Sequence, residues 1–321
     1  MFPTHFISDF PDYWAALNTG IAGFLVKGLT GKLAVAFFCV FLGYFAAGSA
    51  YRQSTAQYVI KRYRRFFQYL ALANAAFVII NIIMRQLGLP GTIFGPQFSL
   101  WELLTSYASD TAFFTYRLVP TYWCMFDFFI GSIAAFIFAE VCRDKPLKIS
   151  LLIFSLAGLM FFYASGQVWV ADCLLGGLLF LLVRADLAMG KHPLLLIALL
   201  ACAPRFYRDF SESYATYLFY GLSSAMFLYA VFNSVPLQRL LSWKWSAYLG
   251  SITFELYLVH PLIMQLVSAA FIRPFRGLLP EGQVFILALL MNAALCLAAA
   301  LAFHRVVKRV NVDKLCLMAG H

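Results

Sequence analysis

Residues 248–264 read Tyr-Leu-Gly-Ser-Ile-Thr-Phe-Glu-Leu-Tyr-Leu-Val-His-Pro-Leu-Ile-Met, and this stretch decides how the rest of the chain is interpreted. It is apolar enough to cross a bilayer, yet it contains Glu255 and His260. Ionisable side chains inside hydrocarbon cost several kcal/mol unless they are paired or hydrated, and they are functional by default. We therefore expect both residues to face a partner side chain, a water-filled cavity or a substrate. The alternative is a polar pair that only orders the helices.

The composition of the whole chain indicates a polytopic membrane protein. Of its 321 residues, 63% are hydrophobic and 12% are charged, and 34 are Phe, so a soluble domain would lack the polar surface to cover itself. The formal charge of +10 comes from Lys and Arg at the ends of apolar segments, where they contact lipid headgroups rather than nucleic acid. The seven Cys stand singly and form no metal-ligand pattern with His, so we predict buried thiols, no disulfides and no bound metal.

Apolar runs divide the chain into predicted membrane spans. With a requirement of about 20 residues per span, the sequence predicts an all-α polytopic transmembrane helix bundle of about nine spans. The predicted spans are 31–50, 66–84, 120–141, 149–165, 167–183, 193–203, 213–232, 246–270 and 282–303. If the end of the first predicted span lies in the cytoplasm, sixteen of the 24 Lys and Arg are cytoplasmic, as the positive-inside tendency favours, and so is the C-terminus.

Three further polar positions are candidates for chemistry. Arg62 and Arg65, three residues apart at the start of a span, share one helical face and could clamp a phosphate or pyrophosphate. The alternative is an ordinary orientation signal that contacts headgroups. Asp127 lies in an apolar helix just before Gly131 and Ser132. It could orient a histidine, accept a substrate hydroxyl, or pair with an arginine to hold the bundle.

Two histidines are candidate proton acceptors, because imidazole is the side chain best suited to that task near pH 7. His5 lies in a polar N-terminal segment, where a lone histidine is more often simply solvated. His260 follows Glu255 by five residues, so on one regular helix the two side chains point about 140° apart. Either they serve different neighbours, or the helix is distorted near Pro261, whose ring removes a backbone hydrogen bond.

Several of these segments, in this order, resemble the membrane acyltransferase-3 family of integral-membrane O-acyltransferases. Residues 236–241 followed by 248–260 are similar to its late segment, a Leu-Gly and a small-aromatic pair leading into Tyr-Leu-x-His. Residues 31–44 resemble its second span, residues 62–65 its Arg-x-x-Arg, and residues 123–132 its Trp, acidic and Gly-Ser span. Leu42 stands where the family usually has Ser, and Asp127 stands where Glu is common.

The resemblance implies a single integral-membrane domain over residues 1–321 with about ten helices. Such an enzyme, an acyltransferase for groups other than aminoacyl groups, moves an acyl group, usually acetyl, from acyl-CoA to a hydroxyl of a carbohydrate or related acceptor, with no metal. By that analogy His5 is the base and Arg62 and Arg65 contact the coenzyme, while Asp127, Glu255 and His260 are the other candidate catalytic residues. We expect a bacterial inner-membrane protein whose N-terminus lacks the family's first span.

Two other readings remain open from the residues alone. A transport or lipid-flipping protein would use Asp127, Glu255 and His260 to line a pathway rather than a reaction site. A catalytically inactive homologue would keep the fold and lose the activity.

Overall fold

The computed structural model describes residues 31–86, 98–185, 214–267 and 278–310, and every regular element in these ranges is helical. The eleven α-helices, in chain order, are α1 Gly31–Ser49, α2 Thr55–Gln86, α3 Leu100–Phe113, α4 Met125–Val141, α5 Leu147–Leu159, α6 Val168–Arg184, α7 Tyr214–Asn233, α8 Val235–Leu241, α9 Lys244–Ser251, α10 Thr253–Val267 and α11 Glu281–Arg309. A short 3₁₀ turn, Pro120–Tyr122, precedes α4, and a π turn, Met160–Ala164, extends α5. The predicted all-α polytopic membrane fold is confirmed.

The predicted spans coincide with helices, but not all of these helices are long enough to cross a bilayer alone. Four segments have the length and composition for a span: Lys32–Ser49, Thr55–Gln86, Pro120–Val141 and Ile286–Arg309. The number rises to six if the bent pairs α7 with α8 and α9 with α10 each count as one span, and Leu147–Tyr163 is shorter. The remaining predicted span, 193–203, lies outside the described residues.

The described chain forms two compact units. The first contains α1, the Thr55–Tyr63 part of α2, and α4 to α8; the second contains the Arg64–Gln86 part of α2, α3, the 3₁₀ turn and α9 to α11.

Helix α6 is the centre of the first unit. Eleven of its residues are buried, on every side of the helix, and it packs against α1, α4, α5 and α7. A helix without a polar face belongs in the interior of a bundle, and Asp172 is the single acidic residue among the eleven.

Glycines allow the helices of this unit to approach one another closely, as small residues do in membrane bundles. A Cβ on Gly43 of α1 would lie 1.7 Å from the carbonyl oxygen of Cys173 in α6. Reciprocally, a Cβ on Gly176 of α6 would lie 2.0 Å from the carbonyl oxygen of Val40 in α1. The two backbones are therefore in direct contact at these positions.

Cysteines contribute to this packing as small apolar side chains. Five of the seven, Cys39, Cys124, Cys142, Cys173 and Cys296, lie in the described part of the chain, and all five are buried and free. For these five the prediction of buried, unbridged thiols is confirmed.

In the second unit, α3 forms within the long connection between α2 and α4. Ser99 Oγ accepts the backbone N–H of Glu102 at 3.2 Å, and Glu102 Oε2 accepts the N–H of Ser99 at 2.6 Å, which makes a capping box. These hydrogen bonds lower the pKa of Glu102. Because the folded pKa lies below the unfolded value, the cap stabilises α3 above about pH 4.3 and is lost as the pH falls through the lower folded value.

No residue of helix α9 is buried, and the same is true of α8 before it. Trp245 and Tyr248 are exposed on its surface, as aromatic side chains are at membrane–water boundaries. The chain then bends by 60° into α10.

The helix contact between α1 and α6 can be tested with Gly176→Ala. The added methyl group would overlap the Val40 carbonyl, and overpacking of this kind costs about 1–3 kcal/mol. We expect a clear fall in the unfolding temperature of the purified protein, followed by intrinsic tryptophan fluorescence.

Gly158→Ala on α5 is the matched control, because in the described part of the chain nothing beyond the adjoining backbone of its own helix lies within 4 Å of the added Cβ. We expect it to be neutral or to gain up to about 1 kcal/mol from helix propensity. Equal behaviour of the two variants would contradict the close contact.

Candidate active site

Glu255 lies in the first turn of α10, immediately after the 60° bend. Its side chain is 2% exposed. The bend starts a new helix at Thr253, so the carboxyl group stands beside the partial positive charge of that helix N-terminus. The sequence-based expectation that Glu255 must have partners is confirmed by its contacts.

The partners of Glu255 come from two other helices of the second unit. His304 of α11 places Nδ1 2.6 Å from Glu255 Oε1. The Tyr69 hydroxyl of α2 donates to the same oxygen at 3.3 Å. One carboxylate oxygen thus joins α2, α10 and α11.

A basic region lies beside this carboxylate–imidazole pair. The guanidinium carbon of Arg65 stands 5.9 Å from the centre of the Tyr69 ring, one turn before it on α2. Gln68 Nε2 donates to the carbonyl oxygen of Val307 at 3.3 Å, which ties this part of α2 to the end of α11. The last turn of α11 carries Lys308 and Arg309. Cations from two helices therefore gather at one end of the second unit.

His260 has a different neighbour from Glu255, which confirms the first of the two alternatives raised by their spacing. Pro261 has no N–H, so it cannot donate to the carbonyl oxygen of Tyr257 four residues earlier. His260 Nδ1 lies 2.6 Å from that oxygen and supplies a donor in place of the missing one. Helix α10 continues through Pro261, so the bend occurs before Thr253 and not at the proline.

The same helix is tied to the 3₁₀ turn by two tyrosines. Tyr122 donates its hydroxyl to the carbonyl oxygen of Leu258, and Tyr257 donates to the carbonyl oxygen of Thr121. The first of these hydrogen bonds is accepted by a backbone carbonyl in the turn before Pro261. Both join α10, which carries Glu255, to the 3₁₀ turn.

Arg62 and Arg65 lie in different units of the described chain. Arg62 belongs to the first unit, where its Nε donates to Ser132 Oγ of α4 at 3.2 Å. Arg65 belongs to the second unit and lies over Tyr69. Both side chains are on α2, and the coenzyme-binding role predicted for them remains a prediction.

Asp127 is half-buried in the first turn of α4. Among the described residues, no hydrogen bond or ion pair to its carboxylate is found, so neither an arginine nor a histidine partner is in place. Gly131, four residues later, does permit close approach of α4 and α6, since a Cβ there would lie 2.6 Å from Cys173 Sγ. His5 lies outside the described residues.

His304 is the residue that the sequence reasoning missed. It stands 49 residues from Glu255 and next to the basic end of the last span, where it is read as part of a headgroup-binding cluster. The available signal was chemical: a second histidine near the end of an apolar segment is the natural partner for a carboxylate in another such segment.

The pair has the arrangement of a general base. A carboxylate that accepts a hydrogen bond from Nδ1–H fixes the imidazole tautomer and leaves Nε2 with a lone pair. Within the described ranges, no group of three or more His, Cys, Asp or Glu side chains could hold a metal ion. The chemistry that these residues offer is proton transfer.

Comparison with known proteins identifies the family of the chain. The model of the acyltransferase-3 family, described as an acyltransferase domain, matches residues 1–304. No curated protein and no solved structure matches the chain.

The structural role of His260 can be separated from a catalytic one by a double substitution. His260→Ala removes the donor to the Tyr257 carbonyl, and a buried unsatisfied acceptor costs about 1–3 kcal/mol. Adding Pro261→Ala restores a backbone N–H at position 261, so we expect the double variant to regain most of the lost thermal stability.

The readouts are the unfolding temperature and the enzymatic turnover of the three variants. If the double variant regains its stability but stays inactive, His260 is catalytic. Recovery of both quantities would make it structural.

Proposed function

Because the chain belongs to the acyltransferase-3 family, which makes it a membrane acyltransferase, we propose that it transfers an acyl group, with acetyl as the expected group, from acyl-CoA to an acceptor hydroxyl. The acceptor is a carbohydrate or a related hydroxyl compound. Residues 1–321 act as one integral-membrane domain, and the reaction uses no metal.

The observation that supports this proposal most directly is the pairing of Glu255 with His304 at 2.6 Å. Transfer of an acyl group to a hydroxyl requires removal of the hydroxyl proton as the oxygen attacks the thioester carbonyl. A carboxylate-oriented imidazole supplies a group suited to that step. The presence of this imidazole in a member of an acyltransferase family therefore favours acyl transfer over transport as the function.

Arg62 and Arg65 are proposed to bind the phosphates of the coenzyme. Guanidinium groups form paired, charge-assisted hydrogen bonds with phosphate oxygens. Arg65 also lies over the ring of Tyr69. The hydroxyl of Tyr69 donates to Glu255, so Arg65 is close to the carboxylate–imidazole pair.

The remaining candidate roles follow from the family resemblance. The family resemblance offers His5 as the base for the acceptor hydroxyl, in competition with His304, and if His5 has that role then His5→Ala abolishes transfer in a folded protein. Asp127, Glu255 and His260 are proposed to orient reacting groups. Turnover that is unchanged in His5→Ala would remove His5 from the mechanism and leave the proposed function in place.

The proposed location is the bacterial inner membrane with the C-terminus in the cytoplasm. The basic ends of α2 and α11 then face the cytoplasm, as the positive-inside tendency favours, and acyl-CoA is available on that side. The competing proposal is a transporter or flippase, for which the same ionisable residues would line a path.

Coenzyme binding is tested by Arg65→Gln in the purified protein, with radiolabelled acetyl-CoA as the donor. Loss of a charged hydrogen bond costs about 1.5–3 kcal/mol, so we expect KM for acetyl-CoA to rise at least about tenfold. Arg62→Gln should act in the same direction.

Lys61→Gln is the matched control, because Lys61 is an exposed cation of the same helix. We expect its KM to stay near the wild-type value. Substrate transport by the wild-type protein without any consumption of thioester would reject the acyltransferase proposal.

A further inference from the structure

We infer that His304, oriented by Glu255, is a proton acceptor in the acyl transfer, a role that the family resemblance assigns to His5. This inference rests on the proposed function. It concerns side chains of the second unit alone, on α2, α10 and α11.

The first support is the difference in burial between the two members of the pair. The side chain of Glu255 is 2% exposed, and that of His304 is 21% exposed. The carboxylate thus sits in the interior while the imidazole reaches an accessible edge. A pair that served only to order the bundle would gain nothing from an exposed ring.

The second support is the hydrogen bonding of the ring. Nδ1 is held by Glu255 Oε1, whereas no described residue hydrogen-bonds to Nε2. Buried polar groups in proteins are almost always satisfied, so an Nε2 without a protein partner at an accessible edge is free to take a proton from a ligand.

The third support is the rigidity of the carboxylate. Tyr69 donates a second hydrogen bond to the same oxygen, and Glu255 stands in the first turn of α10, where the helix dipole favours the negative charge. These interactions hold the carboxylate in place. A carboxylate fixed beside the ring stabilises the imidazolium that forms when Nε2 accepts a proton.

The fourth support is the charge around the site. Arg65 lies over Tyr69, and Gln68 joins α2 to Val307 of α11, so the basic residues at the end of α11 belong to the same region. An anionic thioester with several phosphates would bind to such a rim. Its acyl end could then extend toward His304.

The proposed step conserves atoms and charge. Nε2 of His304 takes the proton of the acceptor hydroxyl, and the hydroxyl oxygen forms a bond to the thioester carbonyl carbon. When the tetrahedral intermediate collapses, the carbon–sulfur bond breaks, and the leaving thiolate takes the proton back from Nε2. The products are the ester and the free coenzyme.

The test compares His304→Ala and Glu255→Gln with Lys148→Gln, which removes an exposed cation of α5 in the other unit. Turnover of radiolabelled acetyl-CoA by His304→Ala is expected to fall by about 10²–10⁴, the usual contribution of a general base. Glu255→Gln is expected to lower turnover by at least about tenfold with little change in KM, since it acts through the histidine. Lys148→Gln should retain turnover.

Two further measurements exclude a loss that is only structural. Added imidazole should restore part of the turnover of His304→Ala, because it can occupy the vacated space and accept the proton. A variant that combines His304→Ala with Glu255→Gln should be no slower than His304→Ala alone, because Glu255 has no catalytic effect without the histidine.

These results also separate the inference from the proposed function. An active wild-type protein whose turnover survives His304→Ala, or whose loss is neither rescued by imidazole nor shared by Glu255→Gln, overturns the role of His304 and leaves the acyltransferase intact. A wild-type protein that consumes no acetyl-CoA overturns the proposed function itself.

Discussion

A carboxyl group inside an apolar bundle must be compensated, and Glu255 meets this requirement with three interactions. It stands in the first turn of α10, at the positive end of the helix dipole, and His304 and Tyr69 bond to a single oxygen. Each of these partners lies on a different element, so the carboxylate determines where α2, α10 and α11 meet. The second unit is organised around this polar centre, whereas the first is organised around the apolar helix α6.

Much of the fold could be predicted from the sequence, because a long apolar run in a membrane protein has few alternatives to a helix. The positions of the main helices follow from this rule. The bend before Thr253 could not be predicted, because it depends on how α9 and α10 are each covered by their surroundings. Pro261 looked like the cause of a distortion, but the His260 side chain supplies a donor to the carbonyl that the proline leaves without its helical hydrogen bond.

The site was predicted only in part, for a physical reason. Glu255 stands out in any reading, since a carboxylate in an apolar segment is costly. Its partner does not, because a pair formed across 49 residues leaves no periodic trace in either segment. His304 is also masked by the neighbouring cations of α11. Chemical complementarity between distant segments, unlike periodicity within one segment, becomes visible only in three dimensions.

The exposed surface of α9 links the membrane to this polar centre. Trp245 and Tyr248 favour the headgroup layer, and α9 leads through the bend directly into the helix that carries Glu255. Only one residue separates the end of α9 from the start of α10. A lipid contact at Trp245 or Tyr248 is therefore transmitted to the turn that holds the acid.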